Sequence, residues 1–199
     1  MKRLYSYVVA WDFGFAPNPF YGYCTLATCK PKIRKGASVG DWVAGTGSKA
    51  KKRDGYLVYA MRVGEILSLN DYWNDPRFRD KRPNRHAGKR KAFGDNIYRW
   101  DEVNSRWHQS DSHHSCDDGS LNSNNLRRDT SVDRMLVSDD FLYFGGSGPL
   151  VPESLRECVH VSQGHKCNFP PPLVDEFVKW IMYLQETETG YCGTPTDRT

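Results

Sequence analysis

The chain has 199 residues, which suits one domain or one domain with a sizeable insertion, and its formal net charge of +4 permits a polyanionic partner without demanding one. No stretch approaches the roughly 18 apolar residues needed to span a bilayer, which excludes a transmembrane helix. Aromatic residues make up 13% of a chain whose mean hydropathy is −0.70, so the rings must serve a compact core or stacking surfaces.

The N-terminal run "MKRLYSYVVAWDFGF" begins basic and turns apolar, as a signal peptide would. Asp12 interrupts it and no small-residue cleavage site follows, so "YSYVVAW" (5–11) reads as a first strand. The prolines and glycines of "DFGFAPNPFYG" forbid regular structure and make a shaped loop. Further strands are expected at "GYCTLATC" (22–29), "DWVAGT" (41–46) and "YLVYAMRV" (56–63). "SLNDYW" has Ser with Asp three residues on, a capping-box-like start for a short helix.

Residues 75–130 are polar and rich in Arg, Asn, Ser and Asp, the composition of a long binding loop or lid. Strands resume at "RMLVSDDFLYF" (134–144) and "CVHV" (158–161). In "PPLVDEFVKWIMYLQE", Val174, Phe177, Val178 and Ile181 recur at helical spacing behind prolines, predicting a C-terminal helix. The tail, 187–199, has too little apolar surface to fold alone and is expected to fray. The expected architecture is α+β: one domain over 1–186, a mostly antiparallel barrel-like sheet with an insertion at about 75–130 and a terminal helix. Cys24, Cys29, Cys116, Cys158, Cys167 and Cys192 contain no CxxC pair and read as the reduced thiols of a cytoplasmic chain.

"GDWVAGTGSK" (40–49) looks like a phosphate-binding loop, but Gly45 is followed by Thr46 and Gly47 where a Walker loop needs Lys-Ser/Thr. The dinucleotide fingerprint also fails for want of a third glycine, and no helix-forming run follows. The order "VGDWVAGTGS", "GYLVYAMRVGEIL", "NDYWNDPRF" resembles the hairpin of a PUA-like barrel, as in its EVE and ASCH relatives. That resemblance implies turn glycines that let backbone approach a flat ligand. Over most of the chain, "FAPNPFYGYCTLATCKPKIR", "GDWVAGTGS", "YWNDPRF", "GDNIY" and "SDDFLYFGGSGP" together resemble the nucleotide modification associated domain family, second type. The resemblance implies a connection to modified nucleotides in phage and bacterial DNA-modification systems; it carries over no catalytic residues.

Several residues could build a base pocket: Trp11, Phe15, Phe20, Trp42, Tyr72, Trp73 and Tyr98 as walls, with Asp12 and Asn18 as edge readers. Thr46, Ser48 and Asn96 add small polar groups. Each ring has a competing reading as core, and Asn18, between two prolines, one as a turn residue. The run "RFRDKRPNRHAGKRK" supplies Arg77, Arg82, Arg85, Lys89 and Arg90 for phosphates, beside aromatics that could stack bases; its alternative is a solvated loop.

The spacings around His113, His114 and Cys116, and around Cys158, His160, His165 and Cys167, match no closed zinc site, so neither a metal nor a cofactor is expected. In a strand, Asp139 and Asp140 would point to opposite faces and could not share one Mg²⁺. No GxSxG or Cys-His signature marks an enzyme. The leading expectation is a binding module that takes a nucleobase or nucleotide, free or in nucleic acid, into an aromatic pocket. The alternatives are an enzyme on nucleotides or DNA bases with Asp12, Asp95, His113 and Asp139 as a dispersed acid–base set, and a sponge or sensor for a signalling nucleotide.

Overall fold

A computed structural model describes residues 2–197, so Met1 and the last two residues of the expected tail lie outside the described residues. In chain order the elements are β1 (Leu4–Val9), β2 (Cys24–Leu26), α1 (Pro31–Gly36), β3 (Trp42–Gly47), β4 (Leu57–Arg62), β5 (Glu65–Leu67), α2 (Leu69–Asn74) and α3 (Lys89–Ala92). They continue with β6 (Tyr98–Asp101), β7 (Arg106–Gln109), α4 (Ser123–Thr130), β8 (Met135–Ser138), β9 (Phe141–Tyr143), α5 (Pro171–Gln185) and β10 (Gly190–Tyr191). The protein is mixed α+β with a C-terminal helix, and among the described residues the strands form open sheets of five, three and two strands. No helix among them is long and apolar enough to cross a membrane.

The chain forms two compact units. The first takes residues from 1–13, 37–64 and 138–199; the second takes 14–36 and 65–137. The expected insertion at 75–130 falls wholly within the second.

The first unit is a five-stranded sheet in the order β1-β3-β4-β9-β10. β1 lies parallel to β3, from Leu4 opposite Trp42 to Val9 opposite Gly47, while β3–β4 and β4–β9 are antiparallel. Every residue of β3 is buried, as in a strand covered on both faces. One cover is α5, whose Val174, Phe177, Val178 and Ile181 pack into a cluster with Leu4, Trp42 and others. These are the residues whose helical spacing predicted the element.

Three local readings change. The run 134–144 is two strands, β8 and β9, in different sheets, so Asp139 and Asp140 occupy a bend in which Ser138 Oγ accepts the Asp140 N–H. "CVHV" is not a strand: Cys158 ends a 3-10 turn, and the Val159 N–H is taken by Arg156 O instead of a ladder partner. Residues 187–197 are held by backbone rather than by apolar burial, since β10 pairs with β9 and the Cys192 N–H donates to Tyr143 O.

In the second unit β2, β8 and β5 form a three-stranded sheet and β6–β7 a hairpin. Ser68 caps α2 as expected, accepting the Asp71 N–H at 2.9 Å. The polar composition of 75–130 is reconciled with an ordered interior by bonded buried groups. Lys81, fully buried, donates from Nζ to Asn18 O (3.0 Å), Asn18 Oδ1 (2.6 Å) and Tyr23 O (2.9 Å), satisfying all three of its protons. Burial pulls its pKa down to about 8. Asp95 accepts from Thr25 Oγ1 and Tyr72 OH, each at 2.7 Å.

Two substitutions test these packing assignments. Phe177→Ala should cost about 3–5 kcal/mol by opening a cavity under α5. Asn18→Ala should cost about 1.5–3 kcal/mol by removing an acceptor from a buried ammonium. Urea unfolding would show both as lower midpoints at unchanged slope.

Candidate functional site

The candidate pocket rings separate by burial. Phe15, Phe20, Trp42, Tyr72 and Tyr98 are core residues at 4%, 3%, 2%, 1% and 1% exposure, which leaves no face for a base. Trp42 packs in the α5 cluster, and the Tyr72 and Tyr98 hydroxyls are spent on Asp95 and Asp129. Trp73 is half-buried, with the Arg82 guanidinium 4.1 Å from its ring centroid and bonded to its carbonyl oxygen. Trp11 is different, at 64% exposed. Its indole lies nearly parallel to the Phe13 ring at 6.5 Å between centroids, and Lys51 Nζ sits 4.1 Å from its ring centroid.

Beside Trp11, within the first unit, is a cleft lined by residues that include Asp12, Gly47, Ser48, Lys51, Arg53 and Thr196. Its volume is about 250 Å³ including the open mouth. That volume suits a small group rather than a whole nucleotide. The end of β3 and the turn after it supply one wall, and the loop after β1 supplies Asp12.

The polar groups of the cleft are unequally used. Asp12 is buried; Oδ1 accepts the Tyr143 hydroxyl and Oδ2 the Thr196 N–H. The Asp197 carboxylate accepts the Asp12 N–H at 2.6 Å through Oδ2 and Lys51 Nζ at 2.8 Å through Oδ1. Burial opposes the charge on Asp197, but these donors hold its pKa below the usual carboxylate value. Ser48 Oγ and Arg53 Nη2 are shielded from solvent and have no hydrogen-bond partner, as is Thr46 Oγ1 on β3.

Gly45 and Gly47 of this stretch serve the protein's own packing. A Cβ on Gly45 would stand 2.5 Å from Val9 and 2.6 Å from Tyr59, and one on Gly47 would stand 2.5 Å from Arg53. The close approach they permit is made by those residues rather than by a flat ligand.

The other nominated residues lie in the second unit, except Asp139. Asn18 is a knot in the loop, donating from Nδ2 to Gly14 O and Phe93 O while accepting Lys81, which matches its turn reading. Asn96 donates to Tyr72 O and Phe78 O. The basic run is ordered as a 3-10 turn (Pro76–Lys81) and α3, not a free loop. Arg77 pairs with Asp75 and Glu65, Arg85 with Asp111, and Lys91 with Asp80. The Arg90 guanidinium lies 5.8 Å from the Phe20 ring, and Lys89 opens α3.

The acid–base candidates are separately occupied. Asp95 is sealed, its pKa raised by burial, while Asp139 is exposed at its bend. His113 lies against Phe15 and Phe93, and burial brings its pKa down to about 4. Its neighbour His114 instead joins Cys29 and Asp129, whose donor atoms all lie within 4.8 Å of one another. This is the one three-ligand cluster among the described residues, and sequence reasoning missed it. Its members are 85 and 15 residues apart, and no local motif announces them.

No curated protein and no solved structure matches the chain. A family does: nucleotide modification associated domain 2 matches residues 1–199, the whole chain. The similarity noted from scattered motifs thus extends from end to end, and the chain belongs to the nucleotide modification associated domain 2 family, whose name ties it to nucleotide modification.

Proposed function

We propose that the first unit is a binding module for a nucleotide carrying a modified base, used in a DNA-modification or phage–host conflict setting. The observation that carries this is the pairing of an exposed indole with a small cleft that has Ser48, Lys51 and Arg53 on its wall. The base stacks on Trp11, which is largely exposed, and the phosphate turns toward Lys51, Arg53 and Ser48. Unpartnered Ser48 Oγ and Arg53 Nη2 are donors of the kind a phosphate oxygen accepts. Asp197, bound to Lys51 and to the Asp12 amide, is a carboxylate in the place of that anion and leaves when the nucleotide enters. The five-stranded sheet is read as the PUA-like part of the chain, supported by the glycine turn at Gly40 (φ 90°) before β3 and the antiparallel β3–β4 pair.

The ion pairs of Arg77, Arg85 and Lys91 favour a free nucleotide over a nucleic-acid backbone. A tracking surface needs cations that release counterions, and these are already compensated.

Calorimetric titration of the purified chain with modified and unmodified nucleotides tests the reading. Trp11→Ala should weaken binding by about 1–3 kcal/mol, the worth of one base–aromatic stack, without lowering the unfolding midpoint. Equal affinity in Trp11→Ala would remove the indole from the site. Asp197→Asn should tighten binding of a nucleotide but not of the matching nucleoside, because only the phosphate competes for Lys51. Binding of single-stranded DNA with a steep salt dependence, flattened by neutralising Arg82, Arg85, Lys89 and Arg90, would favour the polymer instead.

A further inference from the structure

A second group of reactive side chains lies in the second unit and is independent of the Trp11 cleft. Cys29 Sγ is 3.6 Å from His114 Nε2, and the other ring nitrogen, Nδ1, is 2.7 Å from Asp129 Oδ2. Sulfur, imidazole and carboxylate therefore follow in the order required of a nucleophile, a base and the group that orients the base.

Asp129, fully buried, is fixed by further donors: Tyr98 OH on Oδ2 at 2.9 Å, and the Cys29 N–H (2.9 Å) and Arg128 Nε (3.0 Å) on Oδ1. The Phe15 ring lies edge-on to the imidazole at 4.5 Å and confines it from another side. Cys29 and the next residue, Lys30, have φ of 55° and 43°. Consecutive left-handed non-glycine residues cost of order 1–3 kcal/mol each and gather where a side chain must be aimed. Cys29 remains half-buried, and the adjacent Arg128 side chain is 43% exposed, so the sulfur is approachable from that side.

We propose that Cys29, His114 and Asp129 form a catalytic triad that cleaves amides or esters through a thioester on Cys29. Burial opposes charge on His114, but the hydrogen bonds to Asp129 and Cys29 prevail and raise its pKa to about 9.

In the first half-reaction Cys29 passes its thiol proton to His114 Nε2 and its sulfur bonds to the carbonyl carbon. The C–N or C–O bond then breaks, and the Nε2 proton of His114 goes to the departing nitrogen or oxygen. In the second, neutral His114 takes a proton from water, and the resulting hydroxide adds to the thioester carbonyl. The C–S bond breaks, and the proton on His114 returns to the sulfur, restoring the thiol and the neutral ring. The sum is amide or ester plus water giving acid plus amine or alcohol, with no oxidant or cofactor. Arg128 Nη2, 3.9 Å from Sγ, is close enough to donate to the oxygen of an adduct on the sulfur.

The same three ligand atoms could in principle hold a metal ion. Their surroundings argue for the triad. Each Asp129 oxygen already accepts two donors, and Arg128 Nη2 lies within 3.4 Å of both His114 ring nitrogens, placing a fixed cation where a second would have to enter.

The full-length protein, treated with p-nitrophenyl acetate as probe, should release a burst of about one equivalent of nitrophenolate and carry acetyl on the Cys29 peptide by mass spectrometry. Cys29→Ala should abolish the burst while retaining the wild-type circular dichroism spectrum. His114→Gln should slow acylation and deacylation by about 10²–10⁴-fold, the usual range for a general acid–base. Cys29→Ser, nearly isosteric, guards against a packing artefact and should also lose the burst. Acetyl spread over other side chains at a rate unchanged in Cys29→Ala would overturn the proposal. So would one equivalent of zinc in the purified protein that Cys29→Ala releases.

Discussion

The buried carboxylate of Asp129 is the constraint on which the second unit turns. It gathers a backbone amide from the loop before α1, a hydroxyl from β6, an imidazole from the segment after β7 and the guanidinium of its own neighbour on α4. A fully buried carboxylate is tolerable only when its lone pairs are occupied, and here four donors do so. Arg34, also fully buried, completes the arrangement by donating to the backbone oxygens of Cys29, Asp129, Val132 and Arg134. Elements with little apolar surface are thus joined by charge-assisted bonds.

This explains how so polar a stretch becomes an ordered body. Lys81 and Asp95 repeat the device elsewhere in the same unit, each a buried charge-bearing group with its bonding capacity met by loop carbonyls or hydroxyls. The first unit follows another logic, in which a sheet and α5 bury a contiguous apolar cluster. The chemistry differs accordingly. The first unit offers an exposed ring and unpartnered donors, the features on which the proposed binding site rests. The second offers aligned, mutually satisfied titratable groups, the geometry on which the proposed triad rests.

Family membership and the two sites are compatible without one implying the other. A domain tied to nucleotide modification can hold a nucleotide on one surface and carry covalent chemistry elsewhere. The Trp11 cleft and the Cys29 cluster share no residue, so each stands or falls by its own chemistry.

The sequence by itself determined those features that depend on neighbours along the chain. The periodicity of Val174, Phe177, Val178 and Ile181 specified α5, and Ser68 with Asp71 specified the start of α2. The misplaced lysine after Gly45 ruled out a Walker loop, and Gly40–Lys49 is indeed a strand and turn. Burial was not legible from the residue type alone: Trp42 opens the central strand β3 and is covered by the α5 cluster, whereas Trp11 lies beyond the end of β1 and meets solvent. Nor was the split of 134–144 into strands of separate sheets, which follows from pairing partners remote in sequence. Tertiary structure alone decided that Arg77 and Arg85 of the basic run would pair with Glu65 and Asp111, and that Cys29 would meet His114 and Asp129. Hydrogen-bond geometry between groups 85 and 100 residues apart leaves no mark on local composition, and only the folded chain creates it.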